Sequence, residues 1–217
     1  MSVIRLVIIL WFLGNVGMGI SAQGLTRPKE LPAAFRSTPK VLVGFDSKRS
    51  FIDNRDVRIF GVRAGLEFDR KVGVGFGIYF LRSPFVRNFI EPADGGGVDT
   101  IRSNLRFGYV SAWFEYMIYA SRRWEVSVPL TLGFGEAEFS GFEERTYTQI
   151  LLLEASLEAQ YKIFPWLGLG AGVGYRQPIT GERSIRTIID APIYRFGIRV
   201  FLGYFWNLIT GKEVLGF

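Results

Sequence analysis

The chain has 217 residues, of which 48% are hydrophobic and 16% aromatic, so a folded domain is expected and a disordered chain is excluded. The absence of cysteine and histidine excludes disulfides, thiolate and histidine-rich metal sites, and catalysis by a cysteine or Ser-His nucleophile. The formal net charge is +6, but basic and acidic residues are interspersed, so nucleic acid is not an expected partner. No cofactor is predicted.

The N-terminus has the pattern of a cleavable secretory signal. Arg5 supplies a positive charge, residues 6–13 form an apolar run, and residues 19–22 form a plausible cleavage site rich in small side chains. The alternative, an uncleaved anchor, needs about 20 apolar residues, and this run is shorter. We therefore predict a Sec-type signal peptide at residues 1–22 and a short periplasmic segment at residues 23–38.

Apolar residues recur at every second position in most of the remaining chain, which is the periodicity of β-strands. From Phe60 to Phe68, for example, apolar side chains alternate with glycine and charge. A change of phase near Gly108 and Tyr109 indicates a β-bulge in the fourth strand. The eight candidate strands lie at residues 40–46, 60–68, 72–80, 104–119, 124–135, 151–162, 167–175 and 194–204.

The connections between these strands alternate between tight turns and long polar loops. The tight turns are residues 69–71, 121–123 and 164–165, and the long loops are residues 47–55, 82–103, 140–148 and 177–191. Tight turns therefore gather at one end of the sheet and long loops at the other. This layout predicts an all-β fold, an eight-stranded antiparallel up-and-down transmembrane β-barrel at residues 39–206, followed by a short tail at residues 207–217.

A soluble, lipocalin-like barrel would show the same alternation with its apolar face inward. Three features favour a membrane barrel. Many strands exceed the soluble norm of about 5 to 6 residues and reach the roughly 9 to 11 that cross a bilayer at a tilt. Aromatic residues such as Phe68, Trp124 and Tyr161 lie near the strand ends, where the membrane meets water. The polar face is too rich in glycine for a solvated exterior, and inside a narrow lumen glycine leaves room for other side chains.

If the polar face is inward, charged residues of opposite sign meet inside the barrel. Because burying unpaired charge is costly, we predict a network of ion pairs in the lumen. Its role is either a polar plug or a gated path for ions. The predicted members are Arg63, Glu67, Glu115, Glu125, Glu154, Glu158, Lys162, Arg176, Arg195 and Arg199.

Two stretches carry a family resemblance. Residues 161–175, YKIFPWLGLGAGVGY, resemble the turn and penultimate strand of small outer-membrane barrels: the OmpA-like transmembrane domain, OmpX-like proteins and PorT-like barrels of Bacteroidetes. Residues 195–202 resemble the terminal assembly signal of such barrels, although residues 207–217 follow it. The resemblance implies location in the cell outer membrane, contact with its lipid and lipopolysaccharide, and insertion by the barrel-assembly machinery.

Two functions remain open from the sequence. The first is a structural or surface-interaction module, in which the loops meet an envelope or surface protein partner. The second is a narrow channel for ions or small solutes, motivated by the charged lumen. An enzyme is not expected, since related barrel enzymes use histidine as general base, although catalysis by loop carboxylates is not strictly excluded.

Overall fold

The structure, a computed structural model, describes residues 31–52, 55–83, 85–92, 98–140 and 146–202. The predicted signal peptide, the first part of the predicted periplasmic segment and the predicted tail lie outside the described residues.

Nine β-strands and two short helices make up the described chain. In chain order they are α1 (Leu31–Ala34), β1 (Lys40–Ile52), β2 (Arg55–Phe68), β3 (Val72–Leu81), β4 (Phe85–Pro92), β5 (Val98–Ala120), β6 (Trp124–Ser140), β7 (Thr146–Phe164), β8 (Leu167–Pro178), α2 (Arg183–Ile189) and β9 (Ala191–Phe201). Neither helix is long or apolar enough to cross a membrane.

The strands form a closed antiparallel barrel. Neighbouring strands pair in the order β3-β2-β1-β9-β8-β7-β6-β5-β4, and β3 also pairs with β5. Strands β3 and β4 lie end to end along β5, so they act as one interrupted strand in the wall. This confirms the prediction of an eight-stranded antiparallel barrel.

Short turns close one end of the barrel, which we call the turn end; the opposite end is the loop end. Between β2 and β3, Asp69 and Arg70 have positive φ angles of 49° and 53°, as the two central residues of a type I′ turn require. Between β5 and β6, the Trp124 N–H donates to Ser121 Oγ at 3.0 Å. Segment 31–38 lies at this end, with Ala34 buried and the Phe35 ring centroid 5.3 Å from that of Phe68.

The predicted loops are shorter than the sequence pattern indicated. Strand β1 continues to Ile52 and β2 begins at Arg55, so most of the predicted loop 47–55 is strand. The predicted loop 82–103 contains β4 and the start of β5, and the predicted loop 177–191 contains α2. These strands extend the wall at the loop end, in stretches where the sequence lacks a regular alternation of apolar residues.

The predicted bulge near Gly108 and Tyr109 is wrong. The pairing of β5 with β3 runs without a shift through these residues, and its pairing with β6 shifts only between Met117 and Tyr119. Odd-numbered residues of β5 from Phe107 to Met117, including Glu115, face inward. The apparent phase change arises because the inward side chains at the loop end are aromatic, with Phe107 and Tyr109 both buried.

The barrel distributes side chains in the opposite way to a soluble protein. Its outer face is an apolar belt in which Phe76, Phe80 and Phe196 are 76%, 60% and 54% exposed. Charged side chains such as Glu115 and Arg176 are fully buried inside. An apolar exterior around a polar, filled interior is the arrangement of a transmembrane β-barrel.

Glycines on the inner wall make room for particular neighbours. A Cβ on Gly75 would lie 2.6 Å from Trp113 Cζ2, and one on Gly77 would lie 2.8 Å from Tyr79 Cε2. On β8, a Cβ on Gly172 would lie 2.6 Å from Glu158 Cγ. The β3 glycines therefore accommodate aromatic rings, and Gly172 of β8 accommodates a glutamate.

Candidate functional site: the charged barrel interior

The interior ion pairs nearest the loop end form the upper cluster, centred on Glu154 of β7. Glu154 Oε2 accepts from Lys48 Nζ of β1 at 2.5 Å, and Oε1 accepts from Arg176 Nε of β8 at 2.7 Å. The Tyr109 hydroxyl of β5 donates to Glu154 at 2.9 Å and accepts from Lys48 at 2.9 Å. One carboxylate therefore joins four strands across the lumen.

The central cluster lies below it and is built on Asp46 and Arg195. Arg195 Nη2 of β9 donates to Asp46 Oδ2 of β1 at 2.7 Å, and its Nη1 lies 2.5 Å from Glu158 Oε1 of β7. The Tyr79 hydroxyl of β3 donates to the same Asp46 oxygen at 2.9 Å. The Tyr79 ring stacks on Tyr109, with centroids 4.9 Å apart, and links this cluster to the upper one.

The lower cluster joins Glu115 of β5 to Arg199 of β9. Arg199 Nη2 lies 2.9 Å from both Glu115 carboxylate oxygens, and Ser127 Oγ of β6 donates to Glu115 at 2.6 Å. Arg63 of β2 lies between the lower and central clusters. Its guanidinium nitrogens are 3.8 Å from Glu115 and 3.4 Å from Glu158.

The mouth cluster closes the turn end around Glu125 of β6. Glu125 Oε1 accepts from Lys162 Nζ of β7 at 2.5 Å and from Arg70 Nη2 of the β2–β3 turn at 3.0 Å. Arg70 also donates to the Ser121 carbonyl of the next turn. These contacts tie two turns and two strands together at the rim of the turn end.

All ten residues predicted from the sequence face the lumen, and nine of them are buried. Lys162, at the rim, has a side chain 12% exposed. Nine of the ten take part in the ion pairs described above. Glu67 is 2% exposed, and within the described residues its carboxylate has no ion pair and its Oε2 has no hydrogen-bond partner. A structural or gating role for these residues stays a prediction.

Sequence reasoning missed Asp46 and Lys48, because it ended the first strand at Asp46 and assigned the following residues to a loop. The period-two pattern did continue past Asp46, because the inward positions that begin at Leu42 include Gly44, Asp46, Lys48 and Ser50. When Asp46 and Lys48 are included, the described interior contains equal numbers of acidic and basic side chains. The acidic ones are Asp46, Glu67, Glu115, Glu125, Glu154 and Glu158, and the basic ones are Lys48, Arg63, Lys162, Arg176, Arg195 and Arg199.

An apolar cap closes the lumen at the loop end. Helix α2 inserts Ile185 and Ile189, both 1% exposed, among inward side chains of the surrounding strands. A polar face on the same helix stays outside, with Arg186 and Thr187 exposed. The buried members of the cap are Val57, Ile59, Tyr79, Phe107, Tyr109, Ala137, Ile150, Leu152, Ile185 and Ile189.

A small cavity lies in the described part of the lumen, between the cap and the turn end. It has a volume of about 20 Å³ and lies beside Arg63, Arg195 and Arg199, next to the wall at Gly170 and Gly197. Such a volume holds about one water molecule. No group of three or more carboxylates in the described part of the chain is arranged to hold a metal ion. Apart from Glu67, the charged side chains of the described interior are therefore joined in ion pairs.

Comparison with known proteins shows the fold. Neither the protein-family models nor the curated proteins give a match to the chain. Among solved structures, Neisserial surface protein A superposes with a TM-score of 0.52 at 11% identity, over 75% of this chain and 96% of that one. The chain shares its barrel fold.

Two further structures were found at lower similarity. The N-terminal β-barrel domain of Pseudomonas aeruginosa OprF has a TM-score of 0.49 at 11% identity, over 75% of this chain and 98% of that one. The attachment invasion locus protein Ail of Yersinia pestis has a TM-score of 0.45 at 17% identity, over 75% of this chain and 96% of that one.

Proposed function

We propose that this protein is an outer-membrane β-barrel that acts as a non-conducting anchor and presents its loop end at the cell surface. The apolar belt supports a position in a bilayer, and the predicted Sec-type signal supports export. Within outer-membrane barrels, we assign it to the small barrels that the OmpA-like, OmpX-like and PorT-like proteins exemplify.

The observation that carries the proposal is the double closure of the lumen. An ion needs a continuous hydrated path, and here the charged side chains pair with one another across the barrel instead of lining an open pore. Above them, Ile185 and Ile189 complete a buried, mostly apolar layer, and the hydroxyls of its two tyrosines already bond to the charged clusters. Breaking a buried ion pair typically costs about 3 to 5 kcal/mol, so the pairs do not open readily.

The loop end supplies the surface that an anchor would present. Strands β4 and β5 form a hairpin beyond the barrel, with eight paired positions from Phe85↔Leu105 to Pro92↔Val98. In the described sheet, β4 has β5 as its single neighbour, so its other edge is available to a partner strand. An envelope or surface protein is the expected partner.

The alternative function, a narrow channel, predicts a different electrical behaviour. We expect the purified protein to give no stable open steps in a planar lipid bilayer. The double variant Ile185→Asp/Ile189→Asp should disrupt the cap and produce leak currents, whereas Arg186→Asp/Thr187→Asp on the exposed face of α2 should not. Stable, cation- or anion-selective steps from the unmodified protein would contradict the anchor proposal and support the channel.

A further inference from the structure

The described interior above the mouth cluster has one more basic than acidic side chain. At the turn end, Glu67 and Glu125 are matched in number by Lys162 and Arg70. The upper, central and lower clusters, with Arg63 between them, contain four carboxylates and five cations. The carboxylates are those of Asp46, Glu115, Glu154 and Glu158, and the cations are Lys48, Arg63, Arg176, Arg195 and Arg199. Because a buried charge without a counter-charge is costly, this part of the lumen has a place for one further negative charge.

Arg63 is held less closely than the other arginines of these clusters. Its hydrogen bond from Nη2 to Glu158 Oε2 is 3.4 Å long. Its Nε lies 3.6 Å from Asp46 Oδ2 and its Nη1 lies 3.8 Å from Glu115 Oε2, and neither nitrogen has a hydrogen-bond partner within the described residues. Arg63 is only 4% exposed, so bulk water does not supply the missing partners.

The small cavity of the lumen lies beside these unpartnered donors. It is lined by Arg63, Arg195 and Arg199, and each of the three has a buried Nε without a hydrogen-bond partner in the described part of the chain. Asp46 and Glu158 line it as well, but both are already engaged by Arg195. Guanidinium groups donate hydrogen bonds and accept none, so the cavity suits a guest that accepts them.

Gly170 keeps the cavity open. It lies directly opposite Gly197 of β9, and a Cβ on Gly170 would have its nearest neighbour 3.7 Å away. At Gly168 and Gly172, the adjacent inward positions of β8, a Cβ would instead collide with the side chains of Gln160 and Glu158. The space at Gly170 is about 20 Å³, which admits one guest about the size of a water molecule and excludes phosphate, sulfate and organic anions.

We infer that this cavity binds a single halide ion, with chloride as the natural occupant. A halide accepts hydrogen bonds from several donors at once, so one ion can serve Arg63, Arg195 and Arg199 together. It also supplies the negative charge that the three clusters lack. A water molecule would fill the same space, but it carries no charge and brings two O–H donors to a site already rich in donors. The inference goes beyond the anchor proposal and does not depend on it.

The first test is the chloride dependence of folding, measured by urea titration of the full chain in lipid vesicles. Chloride is exchanged for gluconate at constant ionic strength, because gluconate screens charges equally but is too large for the cavity. A ligand that binds only the folded state raises the folding equilibrium constant in proportion to its concentration above the dissociation constant. We therefore expect a tenfold rise in chloride in this range to raise the constant about tenfold, the response to one bound ion.

Two serine variants show whether this dependence arises at the cavity. Gly170→Ser fills the cavity and places a hydroxyl oxygen near the arginines, so its folding constant should not depend on chloride. Gly108→Ser, at an outward glycine that does not line the cavity, should keep the full dependence. A folding constant independent of chloride in the unmodified protein would overturn the inference, and so would equal dependence in Gly170→Ser.

Crystals of the unmodified full chain grown in sodium bromide give a direct test that needs no variant to fold. Bromide takes the place of chloride and scatters X-rays anomalously. We expect an anomalous peak in the cavity, within hydrogen-bonding distance of Arg63 Nε. A cavity without such a peak, or one that holds water alone, would overturn the inference. Conductance by the unmodified protein in planar bilayers would overturn the anchor proposal instead, so the two failures are distinguishable.

Discussion

Lys48 and Glu154 lie 106 residues apart in the chain and meet inside the barrel, with 2.5 Å between Nζ and Oε2. Both side chains are at most 1% exposed. The contact joins β1 to β7 across the lumen and not through the wall, because these strands are not neighbours in the sheet. Interior charges thus connect parts of the barrel that backbone hydrogen bonds do not.

Glu154→Gln should strongly destabilise the barrel. The neutral amide leaves Lys48 and Arg176 buried without a compensating charge, and removal of one partner from a buried pair costs about 3 to 5 kcal/mol. The measurement is the free energy of unfolding from urea titrations in lipid vesicles. Glu136→Gln, on the exposed outer surface, is the matched control and should stay within about 0.5 kcal/mol. Equal losses for both variants would show that the interior pair is not stabilising.

A double-mutant cycle should separate buried from exposed ion pairs at the same distance. Glu115 and Arg199 lie 2.9 Å apart and are buried, whereas Asp69 and Lys71 also lie 2.9 Å apart but are 52% and 28% exposed. We expect a coupling energy above about 1 kcal/mol for the buried pair and about 0 to 1 kcal/mol for the exposed one. For the buried pair the variants are Glu115→Gln and Arg199→Gln. For the exposed pair they are Asp69→Asn and Lys71→Gln. A larger coupling for the turn pair would contradict this expectation.

Glycines on the inner wall should differ sharply in their tolerance of a methyl group. A Cβ at Gly75 would lie 2.6 Å from the Gly65 Cα and 2.6 Å from Trp113 Cζ2, so Gly75→Ala should lower the free energy of unfolding by about 1 to 3 kcal/mol. At Gly170 the nearest atom would be 3.7 Å away, so Gly170→Ala should be nearly neutral. The comparison uses the same urea titration, and a neutral Gly75→Ala would show that Trp113 does not occupy this space.

Phe76→Arg tests the orientation of the wall. Phe76 is 76% exposed and lies midway along the outward face of β3. An arginine facing lipid near the middle of a bilayer costs about 2 to 4 kcal/mol, and this cost falls to about 0 to 1 near the interfaces. Tyr147→Arg, at the loop end, is the control. If Phe76→Arg folded into vesicles as stably as the control, this face would not contact the hydrocarbon region.

The barrel could be predicted from the sequence wherever one face of a strand meets lipid. From Phe60 to Phe68 the apolar and polar sides alternate without interruption, and strand and orientation follow directly. The predicted strand ends were wrong at the loop end, beyond the apolar belt. Residues 47–50 of β1 carry polar side chains on both faces, so the alternation ends there although the inward face still belongs to the charge network.

The charge network was partly predictable for the same reason. Acidic and basic residues at inward positions indicated ion pairs, but period-two alternation does not give the partner of each residue. Partners depend on the stagger of the strands around the barrel, which brings Lys48 to Glu154 and Arg195 to Asp46. The cap was not predictable, because a seven-residue helix with two inward isoleucines resembles an ordinary polar loop in sequence.

Because the apolar belt faces outward, the bilayer takes the place of much of the hydrophobic core that a soluble domain builds for itself. In a soluble domain the chain buries its own apolar surface, but here Phe76 and Phe196 have no intramolecular counterpart, and the interior beneath them is ionic. Replacing the belt with polar residues would therefore not yield a soluble version of the same barrel. It would remove the hydrophobic driving force for closing the barrel. The twelve ionisable side chains of the interior would then be better solvated by water in an open chain than buried inside.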